Sequence, residues 1–80
     1  MRTVEISDIE LILRSTFPSA NFTAPLINLK LGDFEEWDSV GNFNLLLAFE
    51  DFYLIRFSME EISELKSIAA IVDALSSKMR

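Results

Sequence analysis

The stretch from Asp38 to Tyr53 constrains the fold most. Val40, Phe43, Leu45, Leu46, Leu47, Ala48, Phe49, Phe52 and Tyr53 are apolar there, and at helical spacing they cover more than one stripe. A helix apolar most of the way round is either central or leaves part of its surface to a partner. A chain of 80 residues has room for a single core, so one domain over residues 1–80 is expected, with the other segments packed on this helix. Asp38 or Ser39 caps it, since both types offer an oxygen to the free N–H groups of a first turn.

The flanks supply the rest of an all-α architecture. From Thr3 to about Thr16 the apolar residues Val4, Ile6, Ile9, Ile12, Leu13 and then Phe17 recur at near-helical spacing. Thr3 serves as an N-cap with Glu5 in the first turn, and Pro18 ends the helix by forcing the preceding residue out of the α region. Between Pro18 and Trp37 no period survives, yet Phe22, Leu26, Leu29 and Phe34 are too apolar for a solvated linker. This segment reads as a crossover loop pinned to the core, with a helical turn near Leu26–Leu29. Phe57-Ser58-Met59-Glu60-Glu61-Ile62 is a capping box with a hydrophobic staple, opening a short helix that ends near Glu64. Ser67 caps the last helix, with Ile68, Ile71, Val72 and Leu75 inward and Lys78 and Arg80 at its C-terminal end.

The residue types that are missing narrow the chemistry. Without His or Cys there is no Ser-His-Asp triad, no Cys-His pair, no typical zinc site and no disulfide framework. Two glycines, Gly32 and Gly41, cannot build a phosphate-cradling loop. A net charge of −6 argues against nucleic acid and for partners with basic docking faces. No apolar run approaches the roughly 18 residues of a membrane span. The beginning of the chain turns acidic too early for a signal peptide, and a cytoplasmic location is the default expectation.

At Asp33-Phe34-Glu35-Glu36-Trp37-Asp38-Ser39-Val40, followed by an apolar helix closing on Glu50-Asp51, the chain resembles an acyl carrier protein. The family signature is Asp-Ser-Leu at the start of the second helix, and here it reads Asp38-Ser39-Val40. Leu45 to Asp51 resembles the family's second helix, Phe57 to Ile62 its short third helix, and Ile68 to Leu75 its last. Length, acidity and the long first loop agree as well. The fold implied is a four-helix bundle of acyl-carrier type.

That resemblance implies a non-catalytic carrier. A phosphopantetheinyl transferase, using magnesium and coenzyme A, would attach a phosphopantetheine arm to Ser39, with Asp38 helping to place the transferase's metal. The arm's thiol would carry acyl cargo as a thioester to acyl-loading and acyl-processing enzymes, with the domain acting as a monomer. The docking face implied comprises Glu35, Glu36, Val40, Phe43, Leu47, Glu50, Asp51, Glu60 and Glu61. By spacing alone, Phe43, Leu46, Leu47 and Phe49 read as core, and Asp38-Ser39 as a plain cap, which is compatible with carrying an arm.

Gly41-Asn42-Phe43-Asn44 lacks the acidic residues that common fatty-acid carriers place in this turn, and Phe52 stands where many relatives carry another acid. Gly41 also costs a helix interior about 1 kcal/mol against alanine. These changes point at least as much to a specialised lipid, polyketide-type or amino-acid-linked pathway as to general fatty-acid biosynthesis. Other readings are a peptidyl or aminoacyl carrier, an unmodified interaction module and, least supported, a small carboxylate enzyme.

Overall fold

Helix α1 runs Ile6–Thr16 and turns Ile9, Ile12 and Leu13 inward, as its spacing predicts, while Ile6 faces out. The computed structural model describes residues 4–22 and 25–79, so the Thr3 cap expected for this helix lies outside the described residues, as does Arg80. The N-cap position falls on Glu5, in extended conformation and without a side-chain cap bond, and Asp8 rather than Glu5 occupies the first turn. Before Pro18 the chain stops at Phe17, whose N–H donates to the Leu13 carbonyl at 2.8 Å and whose ring is buried.

A single 3-10 turn at Leu26–Asn28 interrupts the long connection that follows. Helix α2 (Ser39–Tyr53) comes next, then the short α3 (Met59–Glu64) and α4 (Ile68–Lys78). Among the described residues there is no strand, only one antiparallel bridge between Lys30 and Ser67. That bridge fastens the loop: Leu31 N–H donates to the Lys66 carbonyl at 2.8 Å and Ile68 N–H to the Leu29 carbonyl at 2.9 Å. The loop thus satisfies its backbone against the α3–α4 junction, which permits Leu29 to be buried. No described helix is long and apolar enough to cross a membrane.

Helix α2 is central on one side only. Leu45, Leu46, Phe49 and Tyr53 enter the core with Ile9, Leu13, Ile68, Ile71 and Leu75. Phe43 and Leu47 do not: they are 45% and 42% exposed, which corrects their reading as core. The helix ends at Leu54, which adopts the left-handed conformation (φ 56°, ψ 47°) with its side chain 83% exposed. Glycine is the usual residue there because a Cβ in this region is crowded by its own carbonyl.

Two carboxylates then organise the return. Glu50 is buried, and its Oε2 accepts the Phe57 N–H at 2.7 Å. Glu61 completes the expected capping box with Ser58, and its Oε1 also meets Lys78 Nζ of α4 at 2.7 Å. The Lys78 hydrogen bond, followed by the Ser58 N–H, holds the Glu61 carboxyl below the ordinary glutamate value. In the loop, the Lys30 N–H and then its ammonium lower Asp33 in the same way.

Both groups bind protons less readily when folded, so their contribution is present at neutral pH and lost as pH falls through their depressed folded values. The urea midpoint is therefore expected to drop between about pH 5 and about pH 3, and less steeply in Glu61→Gln. At the other end of the connection, Leu54→Gly should raise stability by about 1 kcal/mol by relieving the left-handed leucine, read from denaturant titration.

Candidate functional site

Ser39 occupies the first position of α2 and is exposed, with no hydrogen bond to its hydroxyl among the described residues. The residue before it sets the start of the helix. Asp38 is the N-cap, in extended conformation (φ −100°, ψ −165°), and its Oδ1 accepts the Gly41 N–H at 2.8 Å. Its carbonyl accepts the Asn42 N–H at 2.8 Å, closing the first turn. The N–H groups of Ser39 and Val40 lie at the open end, where a helix has no acceptor of its own and where the dipole favours an anion.

What holds this end still is the pair flanking the exposed dipeptide. Trp37 is completely buried, and its indole N–H donates to Asn42 Oδ1 at 2.9 Å. Asn42, itself buried, passes the connection on by donating from Nδ2 to the Leu65 carbonyl at 2.9 Å. The Trp37 ring lies against Phe17 and Phe34, with centroids 6.1 and 5.7 Å away. One tryptophan therefore joins the end of α1, the crossover loop, the first turn of α2 and the end of α3. The Trp37 carbonyl accepts the Gly32 N–H at 2.9 Å, so the loop leading into the serine is tied down as well.

Gly41 belongs to the same assembly. A Cβ at this position would collide with the Glu36 carbonyl oxygen and lie 3.0 Å from a ring carbon of Phe17. In sequence, Gly41 and Asn42 belong to the turn that lacks the acidic residues of common fatty-acid carriers. Both are buried, and only Phe43 and Asn44 of that turn are exposed. A glycine tolerated in a helix against its propensity, followed at once by an amide five residues beyond a tryptophan, was the available signal.

The expected docking acids divide into two groups. Glu35, Glu36, Asp51 and Glu60 are exposed and carry no ion pair among the described residues. Glu50 and Glu61 are turned to structural use, one on the Phe57 N–H and the other on Ser58 and Lys78. Val40, Phe43 and Leu47 lie on the open face of α2, at 69%, 45% and 42% exposure. Beyond them a surface groove of about 380 Å³ opens between Leu47, Asp51, Leu54 and Arg56. Among the described residues no three carboxylates gather as a metal site.

No family model matches this chain, and no curated protein or solved structure matches it either.

Gly41→Ala is expected to destabilise the domain by about 2 kcal/mol, as overpacking does, although helix propensity alone predicts a gain of about 1 kcal/mol. The sign of the shift in the urea midpoint decides between the two.

Proposed function

We propose that the chain is a carrier protein whose four helices form an acyl-carrier-type bundle and whose Ser39 takes a phosphopantetheine arm. The observation that carries this reading is a serine hydroxyl left exposed, and unpaired among the described residues, beside a turn tied into the core by Trp37 and Asn42. A carrier needs that combination. The hydroxyl has to enter another enzyme's site, while its base has to keep a constant orientation through many encounters.

The residues around Ser39 fit a phosphodiester. The open N–H groups and positive dipole end of α2 suit its charge, and no acidic side chain follows Asp38 within the first turn. Asp38 keeps Oδ1 on the Gly41 N–H and leaves Oδ2 without a partner among the described residues, so that oxygen would be available to help place a transferase-bound magnesium ion. In the transfer, Ser39 Oγ loses its proton and bonds to the phosphorus of coenzyme A that bears the pantetheine. The bond from that phosphorus to the adenosine bisphosphate portion breaks, and the bisphosphate leaves. When bound, the arm supplies a thiol that a cysteine-free chain lacks, and acyl groups ride on it as thioesters. The domain is then a substrate of acyl-loading and acyl-processing enzymes and performs no chemistry itself. Its acidity favours acyl over aminoacyl cargo.

Purified protein incubated with coenzyme A, magnesium and a broad-specificity phosphopantetheinyl transferase should gain one phosphopantetheine by intact mass, mapped to Ser39. Ser39→Ala should gain none while keeping the wild-type urea midpoint, since the cap belongs to Asp38. A folded wild-type sample that stays unmodified with several transferases would sink the carrier reading and leave a helical docking module.

A further inference from the structure

Ser39 stands in a turn that its own residues would leave loose. Ser39 and Val40 are exposed, and Gly41 adds backbone freedom at a helix end, where fraying costs least. The residues on either side are bonded in several directions. Trp37 donates its backbone N–H to the Phe34 carbonyl at 3.0 Å, accepts the Gly32 N–H on its carbonyl and donates its indole N–H to Asn42. Asn42 donates its backbone N–H to the Asp38 carbonyl, accepts the indole on Oδ1 and donates from Nδ2 to the Leu65 carbonyl. The indole–amide bond therefore spans Asp38, Ser39, Val40 and Gly41. It closes the exposed dipeptide and its glycine into a loop with two buried ends.

Buried hydrogen bonds return little net stability, because their groups give up water to form them. An apolar pair of similar volume would fill the same part of the core. What the bonds add is direction: each fixes the line between donor and acceptor, and a satisfied network makes its members rigid together. Asp38 shares in this as much as Ser39 does. Its carbonyl is the acceptor of the Asn42 N–H and its carboxylate that of the Gly41 N–H, so carboxylate and hydroxyl sit on one braced segment.

Building on the carrier reading, we infer that Trp37 and Asn42 are positioning residues for phosphopantetheine transfer, the brace between them holding Ser39 Oγ in one place relative to the Asp38 carboxylate. Both are buried, so neither touches the transferase or coenzyme A. They act through the backbone of the four residues between them. A small misplacement of reacting groups slows the chemical step strongly, and support behind a site is what prevents it. The surface by which a transferase binds does not include them, so their effect falls on kcat and leaves KM nearly unchanged.

The probe is a broad-specificity phosphopantetheinyl transferase at saturating coenzyme A, with KM and kcat measured for the carrier as substrate. Asn42→Leu keeps the volume and removes both side-chain bonds. It should lower kcat roughly tenfold while KM changes by no more than about twofold. Trp37→Phe keeps a ring against Phe17 and Phe34 and removes the donor, and it should lower kcat in the same way. Both variants lose stability, so the comparison is Leu75→Ala in α4, a core truncation that takes no part in these bonds. Measured where it is equally folded, Leu75→Ala should keep the wild-type kcat and KM. In the wild type, the Trp37 indole N–H should exchange with deuterated solvent as slowly as the core amides of Leu45 and Phe49, a reading that needs no variant to fold. An unmoved kcat in folded Asn42→Leu, a loss confined to KM, an equal loss in Leu75→Ala, or an indole N–H that exchanges freely would each overturn the inference while leaving Ser39 modification intact. Absence of any transfer to the folded wild type would remove the carrier reading and this inference together.

Discussion

The hydrogen-bond chain from the Trp37 indole through Asn42 to the Leu65 carbonyl holds the molecule in register. Its members come from the loop, from α2 and from the residue after α3, and the Trp37 ring adds the end of α1 through Phe17. A buried amide or indole N–H without a partner costs about 1–3 kcal/mol. Only an arrangement that brings all of these segments together satisfies Trp37, Asn42 and Leu65 at once. The packing of α2 follows, because Gly41 permits the Glu36 carbonyl to approach the first turn where any side chain would block it. Rigidity at the start of α2 is thus a consequence of core polar satisfaction, and the exposed Ser39 benefits from it.

Acidity in this chain has two distinct uses that composition alone merges. Glu50 and Glu61 each replace a missing backbone partner, at Phe57 and Ser58, where the chain turns from α2 into α3. Lys78 then draws the end of α4 onto Glu61. Helix α3 has no fully buried residue of its own, so these ties to its ends carry much of its positioning. Glu35, Glu36, Asp51 and Glu60 have no such duty and remain on the surface. The two sets lie close in sequence, and their separation arises from which carboxylates meet an unpaired N–H.

The sequence makes some of this legible. Capping positions can be read directly, because an N-cap bond joins residues two or three apart and depends on little else. Ser58 with Glu61, Ser67 at the start of α4 and Asp38 before Ser39 all stand where their residue types predict. The inward stripe of α1 and the stop at Pro18 are equally local. Glu5 as the N-cap of α1 was missed, since its side chain makes no cap bond that sequence could betray. In α2 the apolar residues outnumber the places in the core. Spacing therefore could not separate Leu46 and Phe49, which are buried, from Phe43 and Leu47, which are not.

Four helices, a short third one, a long apolar crossover and a serine in a capped first turn follow from the sequence alone, because each depends on contacts within one turn or on local period. The inner side of α2, the burial of Gly41 and Asn42, and the fate of each glutamate were decided only by tertiary structure. These depend on groups brought near from elsewhere in the chain: the Leu65 carbonyl, the Glu36 carbonyl, the Phe57 N–H and the Lys78 ammonium. A side chain's local pattern states what it can bond to, and only the packed fold supplies the partner.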